Sequence, residues 1–216
     1  MAASQAKRMR EKWREKVWLW VKAPPAFGEK PIAYIPVTSV ERAVGRVIET
    51  TLFDITQEDP QHYQLKLYFQ VTKVEDHVAS TIFKGYEYAR EYLRSLVKRG
   101  SSLVDFIRDY TTRDGYRVRL YFTAFTERRV NSSKKRAIRR AAHGVLSERV
   151  PNMSYDQLAQ EVVLGKLASD ILKEAKKFAA LRHVGIRKCK LVEAPQPAPM
   201  GEEVRAEAPA AEGASP

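Results

Sequence analysis

The chain has 216 residues, 44% hydrophobic and 30% charged, with a formal net charge of +12. That is enough apolar material for one sizeable core, yet no apolar run approaches the ~20 residues of a bilayer-spanning helix. Cys189 is the only cysteine, which excludes a disulfide framework and a cysteine metal cluster. The charge is uneven: residues 193–216 hold five Glu and one Arg, which leaves residues 1–192 at +16. A body that basic repels itself unless it meets a polyanion, and nucleic acid is the first expectation.

Residues 1–16 read as a basic N-terminal arm that orders on binding. Lys7, Arg8, Arg10, Lys12, Arg14 and Lys16 stand there against only Glu11 and Glu15. The start is cationic with no apolar signal core, so a cytoplasmic protein is expected. Residues 17–192 then read as one α+β body. Val17, Leu19 and Val21 alternate with Trp18, Trp20 and Lys22, predicting a strand. Pro24, Pro25 and Gly28 make a loop, and Ile32–Val37 is a second short strand. Arg46–Thr56 is expected as a strand with Val47 and Ile55 on one face, ended by the Asp59-Pro60 turn. His62–Val74 has the cleanest alternation: Tyr63, Leu65, Leu67, Phe69 and Val71 against mostly polar neighbours. A turn at Glu75–His77 leads to a strand at Val78–Lys84, closed by Gly85.

A helix is predicted over Tyr86–Arg99, with an apolar stripe of Ala89, Leu93, Leu96 and Val97 and Gly100 as its left-handed cap. Asp114-Gly115 between two alternating runs marks a hairpin, Leu103–Thr112 and Tyr116–Thr126. Tyr116, Val118, Leu120 and Phe122 face one way there, with Arg117, Arg119 and Tyr121 the other. Ser154 and Gln157 form a capping box opening a helix that runs to about Leu164. Gly165 separates it from another helix ending near Phe178. A last strand, His183–Val192, places Val184, Ile186 and Lys188 opposite Gly185, Arg187 and Cys189. The Pro/Ala/Glu-rich residues 193–216 read as a disordered acidic tail. Neighbouring strands with few crossover helices predict a mainly antiparallel sheet or barrel with packed helices.

Arg128–Arg140 is the most informative stretch, since seven of its thirteen residues are basic and none is acidic. Asn131, Ser132 and Ser133 read as an N-cap cluster, so Lys134, Lys135 and Arg136 fall in the first turn of a helix reaching Arg149. Cations there oppose the helix macrodipole, so they are explained by a phosphate partner rather than by stability. Ile138, Ala141, Ala142 and Val145 form the docking side; Arg136, Arg140 and His143 lie opposite, flanked by Arg139. Further cations occur in the hairpin (Arg113, Arg117, Arg119) and late in the chain (Lys176, Lys177, Arg182, Arg187, Lys188, Lys190). Charge spread over several elements fits contact with a folded RNA from more than one side.

Catalysis has little to stand on. The four His are scattered, and no phosphate-loop, dinucleotide or nucleophile-elbow pattern is present. Asp105 and Asp109 share a strand face and would be the carboxylates of a metal-dependent nuclease; Glu49 and Asp54 are a second such pair. Beside Arg108 and Arg117 they read instead as ordinary surface residues. Trp18 and Trp20 are expected in the core. Trp13, inside the arm, is read as a base-stacking residue.

Several separate runs resemble one family: Lys66-Leu-Tyr-Phe-Gln-Val71, Arg94-Ser-Leu-Val-Lys-Arg99, Thr111-Thr-Arg-Asp-Gly-Tyr116 and Asn131-Ser-Ser-Lys-Lys-Arg-Ala-Ile-Arg-Arg140. The opening Lys12-Trp13, Lys16 and Trp18, followed by Ala23-Pro24 and Phe27, joins them. Over about residues 7–192 the chain resembles the small-subunit ribosomal proteins of archaea and eukaryotes called S-three-a (e-S-one), in a compact archaeal form. Gly100 stands where relatives often carry another basic residue, and the tail matches nothing in the family. The resemblance implies a non-catalytic constituent of the small ribosomal subunit on the platform near the messenger exit. Its partners would be ribosomal RNA and neighbouring platform proteins, with no cofactor, metal, membrane or small-molecule substrate. The RNA-binding residues expected are Lys7, Arg8, Arg10, Lys12, Trp13, Arg14, Arg113, Arg117, Arg128, Arg129, Lys134, Lys135, Arg136, Arg139, Arg140, Arg187 and Lys188. The rival readings are a free RNA-binding regulator or chaperone that visits ribosomes and, behind it, the nuclease on Asp105 and Asp109.

Overall fold

The structure, a computed structural model, describes residues 16–195. The expectations for the arm, including Lys7, Arg8, Arg10, Lys12, Trp13 and Arg14, and for the tail beyond Pro195 lie outside the described residues. In chain order the elements are β1 (Val17–Lys22), β2 (Pro31–Val37), β3 (Val47–Thr51), α1 (Leu52–Thr56), β4 (Leu65–Glu75), β5 (Val78–Tyr88) and α2 (Arg90–Leu96). They continue with β6 (Leu103–Thr111), β7 (Arg117–Thr126), α3 (Ser132–Arg149), α4 (Tyr155–Val163), α5 (Lys166–Ala175) and β8 (Leu181–Glu193).

The class is α+β, as expected, with one eight-stranded sheet ordered β2-β1-β5-β8-β7-β6 and β3-β4 joined to β5. All pairings are antiparallel except one: β1 runs parallel to β5 through Trp20↔Val78 and Val21↔Ala79. The sheet is therefore mixed and branched. β5 is the junction, since β1 meets its first residues and β8 its last, at Gly85↔Lys190 to Glu87↔Lys188.

Binary patterning built most of this. In β4 the odd residues Leu65, Leu67, Phe69 and Val71 are buried, and in β7 Val118, Leu120 and Phe122 are. All but Val71, which packs with Val21 and Ala79, meet Ile138 and Leu146 of α3, Leu158 of α4 and Leu167 of α5 in one core. Each such side chain contributes roughly 1.5–3 kcal/mol on burial. The Asp76-His77 turn has both residues at positive φ (42° and 66°), the twist that a two-residue hairpin needs. The Asp114-Gly115 turn forms as read.

Five expectations are corrected. Residues 46–56 are not one strand: Thr51 and Asp54 cap each other reciprocally and start α1 after β3 ends. Tyr63 sits in a 3-10 turn, 55% exposed, before β4 begins. Gly85 does not close β5, which runs on to Tyr88 because a backbone passes where a side chain would stand. α2 is shorter than the predicted helix and holds no buried residue, so its stripe is not a core face. In β8 a register shift opposite Tyr121/Phe122 skips Arg187, so Cys189 and Leu191 turn inward while Lys188 turns out.

The α4 start shows a local and a tertiary cap side by side. Ser154 and Gln157 close the capping box at 3.3 Å each way, and Asp114 Oδ2 of the hairpin turn accepts from Tyr155 N at 2.7 Å. Replacing Ser154 by Ala should cost about 1 kcal/mol and lower the melting temperature by roughly 2–4 °C. A calorimetric scan showing no shift would mean that Asp114 alone caps the helix.

Candidate nucleic-acid interface

The basic helix takes its position from buried apolar residues and hydrogen bonds to β6. Ile138, Ala142 and Leu146 are fully buried. Arg139 Nε donates to the Asp105 carbonyl at 2.9 Å. His143, expected on the open side, instead pairs its Nδ1 with the Tyr110 hydroxyl at 2.9 Å and packs against that ring. Burial there pushes the Tyr110 phenol up to about 12.

The start of α3 is left open. Asn131 is its N-cap but makes no side-chain capping bond, and the first turn has no acidic residue. The N–H groups of that turn and the positive end of the dipole are thus available to an anion.

Three loops meet at this end of the sheet, because the starts of β6 and β8 lie beside the end of β7. Thr126 is fully buried: its N–H donates to the Ser102 carbonyl at 3.0 Å and its Oγ1 accepts from Ser102 N at 2.9 Å. Ser102 Oγ accepts from Val130 N at 3.1 Å, and Glu127 N donates to the Ala180 carbonyl at 3.1 Å. This stitching assembles a basic pole from Lys98 and Arg99, from Arg128 and Arg129, from Lys134, Lys135 and Arg136, and from Lys176. All are exposed except the half-buried Lys135. None of them has a carboxylate within ion-pair distance among the described residues. Lys98, Arg99 and Lys176 were not singled out as site residues from the sequence. The pairing of β6 and β8 with the end of β7, tied by the Thr126–Ser102 and Glu127–Ala180 bonds, brings them to the others.

The rest of the expected set is placed differently. Arg140 is exposed one turn further along α3. Arg113 and Arg117 are at the opposite end of the β6-β7 hairpin, with Arg117 about 30 Å along β7 from Thr126 at roughly 3.4 Å per residue. Arg117 is paired with Asp109 at 3.3 Å and Glu193 at 3.4 Å. Arg187 sets its guanidinium over the Tyr121 ring at 5.9 Å, and Lys188 pairs with Glu87. With Lys66–Glu49 at 2.7 Å, the open face of the central sheet carries a ladder of matched charges. The basic pole does not.

Of the acid pair Asp105 and Asp109, the second belongs to the same ladder. Asp109 receives Arg119 at 2.6 and 2.9 Å, and that hydrogen bond holds its carboxyl below the usual carboxylate range. Asp54 is spent on the α1 cap and Glu49 on Lys66. Among the described residues no three His, Cys, Asp or Glu side chains come together to hold a metal. No helix among them is long and apolar enough to cross a membrane.

Residues 4–195 match the sequence model of the Ribosomal S3Ae family. The chain belongs to this family. A relative from Staphylothermus marinus is 41% identical over 197 residues, covering 91% of this chain and 92% of its own length. One from Desulfurococcus amylolyticus is 40% identical over 88% of both chains. One from Sulfolobus acidocaldarius is 38% identical over 91% of this chain and its whole length. Each of the three is named small ribosomal subunit protein eS1. The S3Ae match spans every described element and stops at Pro195. The resemblance read from the residue runs is therefore correct.

Proposed function

We propose that this S3Ae chain is a non-catalytic, structural constituent of the small ribosomal subunit, bound to ribosomal RNA through its basic pole. The observation that carries the reading is the set of unpaired cations that three loops and the open start of α3 bring to one end of the sheet. On the open face of the central sheet, by contrast, Lys66, Arg117, Arg119 and Lys188 are matched with carboxylates. At the pole the cations crowd together unmatched, and an outside polyanion supplies the missing charge. The names of the archaeal relatives support the ribosomal assignment. The family resemblance adds a place on the platform, near the messenger exit and beside other platform proteins. The basic segment 1–15 adds phosphate contacts through Lys7, Arg8, Arg10, Lys12 and Arg14 and base stacking through Trp13, and Arg139 and Arg140 extend the pole along α3. Arg113, Arg117, Arg187 and Lys188 belong to outlying contacts on other sides.

Sedimentation of lysate through a gradient at moderate and at high salt tests this. Stoichiometric comigration with small subunits, kept at high salt, is expected. A chain found mostly at the top of the gradient would replace the reading by that of a free RNA-binding protein.

A further inference from the structure

The tryptophans carry an inference of their own. Trp18 and Trp20, expected in the core, are 57% and 46% exposed. The register explains it: Leu19 and Val21 occupy the inner face of β1, so their neighbours must point outward. Across the β1-β2 pair Trp20 faces Tyr34, with ring centroids 4.0 Å apart, and Trp18 faces Pro36. Tyr34 is 53% exposed. The result is a raised aromatic strip on the outer side of an edge ribbon, with nothing in the chain packed over it among the described residues.

The charges around the strip indicate what it takes. Arg46 donates from Nη1 to the Pro36 carbonyl at 3.3 Å, which sets a guanidinium beside the Pro36–Trp18 pair. The residues immediately before Val17 are the basic segment, with six cations against two carboxylates over positions 1–16. At the other end of the strip, Glu75 lies in the same cross-strand row as Trp20 and Val78, with Asp76 next to it. An anion is drawn to the Trp18 end and turned away from the Glu75 end. Pro31 and Pro36 remove N–H donors from the free edge of β2, so a further strand gains little by pairing there. The face remains, and it combines π surfaces with adjacent cations, the combination that single-stranded nucleic acid uses.

We propose that the outer face of the β1-β2 ribbon is a stacking platform for unpaired RNA nucleotides. Bases lie on Trp18, Trp20 and Tyr34, and the phosphates run past Arg46. This platform lies on β1 and β2, apart from the elements that build the basic pole.

The chain itself provides the probe, because its three tryptophans are Trp13, Trp18 and Trp20. In the full chain carrying Trp13→Phe, emission comes from the platform alone. A short oligoadenylate should quench it, and a duplex RNA at equal phosphate should not. The anisotropy of labelled oligoadenylate should report binding weakened roughly 5- to 150-fold for each stacking ring removed, in Trp18→Ala and Trp20→Ala. Both side chains are exposed, so far-UV circular dichroism should stay unchanged. Arg46→Glu offers an independent variant with weakened binding and intact rings. Quenching should persist when Lys134, Lys135 and Arg136 are reversed to Glu, which separates this platform from the subunit anchor. Emission unmoved by bound oligoadenylate, or equal affinity in the tryptophan variants, would overturn the proposal.

Discussion

Reversing Lys134, Lys135 and Arg136 to Glu is expected to abolish stable incorporation into small subunits while leaving the protein as stable as before or slightly more so. The two effects have opposite signs because Lys134 and Lys135 sit in the first turn of α3, where the helix dipole is positive, with Arg136 one residue beyond it. Glu in that turn gains about 0.3–1 kcal/mol per site and relieves repulsion from Arg128 and Arg129. Binding moves the other way. Three such contacts near 1 kcal/mol each amount to roughly a hundredfold in RNA affinity before any repulsion from the new carboxylates. The slope of log affinity against log salt should shrink by about 3. Filter binding to small-subunit RNA across a salt series, with a thermal melt of the same sample, reads both. A variant that melts well below the parent would show these lysines to be structural and remove the anchor assignment.

The largest loss of stability is expected from Gly85→Ala. A Cβ at this position would stand 2.1 Å from the Cys189 carbonyl oxygen, 3.1 Å from its carbon and 3.2 Å from the Lys190 Cα. Those are backbone atoms in the middle of the β5-β8 pairing, so no rotamer change relieves the clash. β5 and β8 must separate just where the two arms of the sheet are joined. Tyr86, which is fully buried and donates its hydroxyl to the Ile186 carbonyl, loses its partner with them. The cost should exceed about 4 kcal/mol, a large share of a typical domain's stability. Urea unfolding should show a midpoint far below the parent, or the variant should accumulate only as insoluble protein. Gly100→Ala is the control: its φ is +76°, but nothing lies within 4 Å of the added carbon. It should cost about 1 kcal/mol from backbone strain alone. Equal midpoints for the two variants would place the effect in the backbone conformation and not in the β5-β8 contact.

What the amino-acid sequence determined by itself is whatever depends on residues a few positions apart. The Asp114-Gly115 turn, the Ser154–Gln157 box, the alternation of β4 and β7 and the cationic first turn of α3 are all of this kind. Each is a contact or periodicity spanning about four residues, and each forms, with Tyr63 left out of β4 and Arg136 one residue past the first turn of α3. The family, too, was legible, because several such runs stand in order along the chain. Other features depend on which strand lies beside which, and these only the tertiary structure decided. Gly85 is a junction because Cys189 passes over it from far along the chain. Lys188 and Cys189 exchanged faces because of one skipped residue opposite Tyr121/Phe122. Trp18 and Trp20 lie outside because the inner face of β1 is filled by Leu19 and Val21. Arg117 and Lys188 became matched charges while Arg128 and Lys134 did not, since cross-strand register supplies Asp109 and Glu87 to the first two and no carboxylate to the others. A run of cations declares that a protein seeks an anion; which cations stay free to meet it is settled by the neighbours that folding gives them.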